Sequence, residues 1–301
     1  MRLLVFSTLL LALSVGCSHH QPTGQSAVGV VPAAPVSSSQ SIEKLDFPII
    51  DAHMHFDHPE KTNAQPANEM LSKMAEAGIR AAVVHFEAGE SDYTKVDRTA
   101  PVKFAICAAV VPGAQIREID AGIVSGKYQC LKIYLGYVPK WATDRFYVPY
   151  YKMAEHRKVP VVFHTGDTYT KNVPVKFADP LQIDEVAIQY PTVKFVIAHM
   201  GNPWIHSAAE VVYKNDNVYT DVSAFILGNA ATKDPVVVDE LVVKPIRWFF
   251  IYVQNPKKIL FGSDWPLLEI TPYVEAVQRA IPKQHWRAVF HDNAAELFGL
   301  Q

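Results

Sequence analysis

Cysteine is scarce in this sequence. Cys17, Cys107 and Cys130 are the only three in 301 residues, and no two stand at a CxxC spacing. That excludes a disulfide framework and a zinc ribbon as the basis of the fold. Cys107 and Cys130 both lie in apolar, strand-like runs, where the expected state is a buried free thiol. Charge is also sparse, at 19% of residues with a formal net charge of −2, and no basic stripe runs through the chain. A nucleic-acid partner is therefore not expected. The apolar run Leu3 to Val15 is too short to span a bilayer as a stable helix. The first strand-like segment is not followed by the glycine-rich turn that a doubly wound dinucleotide fold would want.

What is present is a large apolar fraction, 49%, with 11% aromatic residues. That is enough to bury one substantial core. Arg2 followed by the apolar run has the form of a secretory signal, and Leu13-Ser14-Val15-Gly16-Cys17 resembles a lipobox. Ser14 stands where an aliphatic residue is usual. Residues 1–17 are read as a lipoprotein-type signal with Cys17 as the lipidation site. Residues 18–45, rich in Ser, Gln, Pro, Val and Ala, are read as a flexible tether. His19 and His20 fall in it as solvated linker residues. The expected location is the bacterial cell envelope, anchored to a membrane and facing the periplasm.

From about residue 46 to 301 short apolar runs alternate with amphipathic stretches. The runs are Phe47 to Phe56, Ala81 to Phe86, Lys103 to Val110, Cys130 to Leu135, Val159 to His164, Lys194 to His199, Val218 to Val222 and Ile259 to Gly262. Several are apolar on both faces, as parallel strands covered on both sides are. Helical spacing occupies 68–77, ending at Gly78, then 116–124, 147–156, 181–189, 205–213, 237–253, 272–280 and 285–298. Pro245 should kink or split the sixth of these. Eight strands alternating with helices imply a single-domain α/β protein, a (β/α)8 TIM barrel.

Polar residues end four of the strands. In Asp51-Ala52-His53-Met54-His55, alternation puts His53 and His55 on one face, where two imidazoles can hold one divalent ion. His164 ends the fifth strand, His199 the sixth, and Asp264 follows the eighth. Burying such groups without partners would cost several kcal/mol, on the order of 2–7 each. A shared metal and a polar cluster at one barrel mouth would supply partners. His85 could line the same mouth or simply pack. Lys132, in the apolar fourth strand, needs a partner as well. Tyr134, Trp204 and Trp265 are candidate pocket walls. Asp51 reads as a structural carboxylate at the strand end rather than a ligand.

This constellation resembles the amidohydrolase superfamily, and within it the amidohydrolase-related group that includes aminocarboxymuconate-semialdehyde decarboxylase and several lactone and ester hydrolases. Asn202-Pro203-Trp204, Asn217 to Ser223, Phe261 to Pro266 and Asn293 to Leu300 fit that group, so the likeness runs from about residue 46 to the C-terminus. It implies one divalent ion, Zn2+ first and Mn2+, Fe2+ or Co2+ as alternatives, held by His53, His55, His164 and Asp264. His199 would be the catalytic or second-metal histidine and Asp264 the proton acceptor. Lys132 is carbamylated in some superfamily members. In this chain substrate contact, a carbamate bridge and a structural ion pair all stay open.

The activity so implied is metal-dependent hydrolysis of an ester, lactone or amide carbonyl. The alternative is non-oxidative decarboxylation, against which stands the lack of arginine in Asp57 to Pro66, where Lys61 is the only cation. A third reading is a non-catalytic binding protein tethered to the envelope. The expected partners are a small-molecule substrate and the membrane through the lipid anchor, with oligomerisation left open.

Overall fold

A computed structural model describes residues 44–55, 65–85 and 102–301. The leader, the Cys17 site and all but the last two residues of the tether lie outside the described residues, as do Lys61 and its loop. No helix among the described residues is long and apolar enough to cross a membrane.

Eight strands form one sheet in sequence order: β1 (Ile49–His55), β2 (Ile79–His85), β3 (Lys103–Val110), β4 (Cys130–Tyr134), β5 (Val161–His164), β6 (Phe195–Ile197), β7 (Val218–Asp221) and β8 (Ile259–Leu260). Every neighbouring pair is parallel. The segment after β8 returns to β1: Ala52 N–H donates to Phe261 O at 2.8 Å, Asp264 N–H to His53 O at 2.7 Å and His55 N–H to Trp265 O at 2.8 Å. The chain is the (β/α)8 barrel expected from the strand–helix alternation.

The helices are α1 (Gln65–Ala77), α2 (Ile116–Val124), α3 (Val148–Arg157), α4 (Ile183–Gln189), α5 (Ile205–Lys214), α6 (Pro235–Val238), α7 (Lys244–Val253), α8 (Ile270–Ala280) and α9 (Asn293–Phe298). Gly78 ends α1 at φ +78°, the left-handed conformation a helix C-terminus favours. The break expected at Pro245 is present. Its missing N–H cannot close a turn onto Leu241, and a wide π-turn, Asp239–Val243, absorbs the mismatch between α6 and α7.

Two apolar layers follow from the two strand faces. Ile50, Ala52, Ala81, Val83, Ala105, Cys107, Cys130, Val162 and Val196 form the barrel interior. Ala294, Ala295, Phe298 and Leu300 join them and plug the end where the strands begin. There Lys103 donates to the Gln301 carbonyl. The outer faces, with Met54, Ile106, Ile133, Phe163 and Phe195, pack against the helices.

One expectation is corrected inside the barrel. Cys107 and Cys130 are not free thiols but a disulfide, with Cα atoms 4.3 Å apart. They are register partners on β3 and β4, so the strand pairing sets their side chains next to each other.

Candidate metal centre

The orientation of the first two histidines depends on a break in β1. Ile50 and Ala52 point into the barrel, and unbroken alternation would send Met54 inward after them. The register with β2 instead slips between Asp51 and Met54, where three steps on β1 match two on β2. This β-bulge turns His53 and His55 to the mouth and Met54 to the helix layer. Asp51 holds the bulge. Its Oδ1 accepts the N–H groups of His53 and of Ser263, both at 3.0 Å. Burial raises its pKa to about 7, against the pull of those hydrogen bonds and one from the Ser263 hydroxyl. Gly262 passes so close that a Cβ there would lie 2.8 Å from His53 Cβ, which only glycine avoids.

His53, His55 and Asp264 converge. Asp264 Oδ1 lies 3.5 Å from His53 Nε2 and 3.2 Å from His55 Nε2. It is buried yet has no aligned hydrogen bond. His53 Nδ1 is 2.9 Å from Asp221 Oδ2, so it carries the proton and leaves Nε2 as a lone pair toward the cavity. Lys132 Nζ donates to that Nε2 at 3.2 Å.

On the far side a hydrogen-bond chain runs through the other two histidines. Ser223 Oγ donates to Asp221 Oδ1 and lies 2.7 Å from His199 Nδ1. His199 Nε2 lies 3.2 Å from His164 Nδ1, and His164 Nε2 donates to the Asp167 carbonyl at 2.9 Å. These four links need four protons. The serine and two neutral imidazoles supply three, and both ends accept only. The deficit falls at the His199–His164 contact, where two lone pairs meet unless an electrophile enters. Two such sites, the His53–His55–Asp264 convergence and this contact, are neighbours, with the His53 and His199 rings 4.7 Å apart.

Backbone strain is concentrated here. His199, Met200, Ala224 and Asp264 have φ of 59, 48, 55 and 70°. For residues other than glycine that costs about 1–3 kcal/mol each and persists only when surrounding bonds hold it. The His199 N–H donating to Asp221 Oδ1 at 3.0 Å is one of them.

Burial governs the electrostatics. It drives the His53 pKa down to about 3, with the Lys132 charge adding to the shift. It also lowers those of His85, His164 and His199. It lowers Lys132 to about 8. Burial would raise Asp221 and Asp264, but the surrounding imidazoles outweigh it and hold both carboxyls below their usual range. A histidine depressed in the fold binds its proton only in the unfolded chain between its folded pKa and about 6.5. Four such histidines destabilise the metal-free fold as pH falls below about 6.5. Asp51, raised in the fold, opposes this between pH 7 and 4 but is one group against four. The expected result is a thermal midpoint that drops steadily from about pH 6.5 downward. A midpoint flat to pH 4.5 would contradict it.

Of the expected wall residues, Lys132 lies against His53, and its Nζ is 5.6 Å from the Tyr134 ring centre. Trp204 is half-buried at the start of α5, and Trp265 belongs to the outer apolar layer. Tyr137 was not anticipated, and its ring lies 4.7 Å from that of His164. The larger omission is Asp221, which binds His53, His199 and Ser223 at once. Its signal was in the sequence: like the others it is a polar residue closing an apolar strand. Asp221→Asn replaces an acceptor with a donor facing His53 Nδ1. A 10–100-fold loss of metal affinity is expected, read by titration calorimetry on chelated protein.

A sequence model described as amidohydrolase matches residues 50–300. This chain belongs to the amidohydrolase family. No curated protein matches the sequence. Solved structures resemble this amidohydrolase in fold. An uncharacterised TIM-barrel protein from Bordetella bronchiseptica aligns over 84% of this chain and 99% of its own, at TM-score 0.65 and 20% identity. A probable 2-pyrone-4,6-dicarboxylic acid hydrolase from Acinetobacter baumannii, with citric acid bound, aligns over 84% and 100%, at 0.62 and 16%. A dihydroxybenzoic acid decarboxylase from Polaromonas sp. JS666, with manganese and 2-nitroresorcinol bound, aligns over 84% and 97%, at 0.61 and 15%. The family and the buried His/Asp cluster together make the protein a metal-dependent enzyme.

Proposed function

We propose that this amidohydrolase hydrolyses an ester, lactone or amide carbonyl. His53, His55, His164 and Asp264 would be the ligands of one divalent ion, and His199 the catalytic imidazole. The observation that carries the reading is the convergence of His53 Nε2 and His55 Nε2 on the buried Asp264 Oδ1, at 3.5 and 3.2 Å, a group of atoms close enough together to hold one ion. A divalent ion bound there supplies Lewis acidity and lowers the pKa of a water to about 7. Zn2+ suits this donor set, as do Mn2+, Fe2+ and Co2+.

The chain's own groups do the rest. Asp264, held ionised, takes the proton of the attacking water at its carboxylate. His199 is oriented through Nδ1 by Ser223 and presents Nε2 to the cavity. A proton taken up there would be passed to the developing oxyanion or to the leaving group. Lys132 loses its acceptor once His53 Nε2 is committed to a ligand bond, and then donates to a substrate oxygen. Tyr134, Trp204 and Trp265 are the other substrate-binding candidates.

Decarboxylation is the second reading, favoured by the likeness to the dihydroxybenzoic acid decarboxylase. A panel of lactones, esters, amides and aromatic acids, run on protein of measured metal content, separates the readings. Acid release without CO2 supports hydrolysis. CO2 release replaces it with the lyase, and binding without turnover leaves the tethered binding protein. The proposed location remains the envelope, through Cys17 and the tether. The buried disulfide supports it, because such bridges persist in oxidising compartments. The N-terminal peptide of the mature protein should carry a diacylglyceryl group on Cys17; a bare Cys17 overturns the anchor.

A further inference from the structure

The Cys107–Cys130 bridge takes no part in the chemistry above, yet it lies against the site. Both cysteines are fully buried in the barrel interior with Ala52, Val83, Ala105 and Val162. Cys107 is the register partner of His85, whose ring stands 4.2 Å from that of His53. Cys130 precedes Lys132 by two residues, on the same face of β4. The bridge is therefore part of the floor beneath the imidazole cluster.

Two facts bear on how it forms. The cysteines are 23 residues apart and belong to a single β3–α2–β4 unit, so that unit alone brings them together. Once the barrel is closed, neither residue has any surface open to solvent. Thiol–disulfide exchange needs a thiolate to approach a sulfur, and the closed barrel gives it no path.

We infer that the bridge is installed while the β3–α2–β4 unit is still open, and that afterwards it is a redox-inert staple of the site floor rather than a switch. The oxidant is a disulfide-bearing donor, RS–SR. The Cys107 thiolate attacks it and releases one RS−. The Cys130 thiolate then attacks the mixed disulfide and releases the second. Two protons and two electrons leave with the donor as two RSH, and one S–S bond is exchanged for another.

The test uses the full chain purified from an oxidising compartment. Each sample is unfolded in guanidinium before alkylation with N-ethylmaleimide: one never reduced, one held natively for hours in dithiothreitol that is then removed, and one reduced in guanidinium. Peptide mapping should find Cys107 and Cys130 untagged in the first two and tagged in the third. Tags without reductant would show that no bridge forms. Tags after native reduction would make it an accessible switch. Either overturns the inference. In a second arm the chain is refolded with dithiothreitol or with oxidised glutathione. The dithiol form should melt about 6–10 °C lower. Equal midpoints would overturn the staple. Metal content is measured on both forms and should be lower in the dithiol form; equal loading would separate the bridge from the site. This last readout rests on the proposed metal centre. If neither form binds metal, that reading fails, while the tags and midpoints still decide the bridge.

Discussion

Asp264→Asn should lower kcat by about 10²–10⁴-fold in metal-saturated protein, the range for loss of a general base. The substitution keeps the size of the side chain and leaves the Asp264 N–H to His53 O bond in place. What changes is the charge and one acceptor. Two roles are removed together, and added metal tells them apart. If Asp264 is only a ligand, saturating metal restores turnover. If it also takes the proton, the variant stays slow at full occupancy. The metal-free variant carries a separate signature. The imidazoles that hold the Asp264 carboxyl below its usual range stabilise its charge in the fold, so apo Asp264→Asn should melt lower than apo wild type near neutral pH. Near wild-type kcat in the variant would remove Asp264 from the mechanism.

Chelation should abolish turnover and lower the melting point. A ligand present at 100 times its dissociation constant stabilises the fold by about 2.7 kcal/mol. For a domain of this size that corresponds to roughly 5–10 °C. The loss should be reversible with Zn2+ or Mn2+, because the bulge, Asp221 and Ser223 hold the imidazoles without an ion. Full turnover in protein shown to be metal-free would overturn the proposed function.

The polar residues at strand ends are legible because each closes or shortly follows a mostly apolar run. His53, His164 and His199 are all buried as that pattern implied. His53 and His55 do share a face, but for a reason alternation alone does not contain. Ile50 and Ala52 set one phase and the histidines another, and the bulge at Asp51 reconciles them. The importance of Asp221 lies in its histidine partners, and those are 168 and 22 residues away in the chain. The Cys107–Cys130 bridge is hidden for the same reason. Each looks like a small buried hydrophobe in its own strand, and only the β3–β4 register shows that they are opposite each other.

By itself, then, the sequence determined the alternation of strands and helices, the barrel that follows from it, and which polar side chains come to the mouth. Those properties are local: periodicity and strand ends are written within ten or so residues. The tertiary structure alone decided the phase of β1, the disulfide, the role of Asp221 and the proton deficit across His164 and His199. Each depends on how two distant strands are set against one another. A shift of one residue in that setting would turn every side chain to the opposite face.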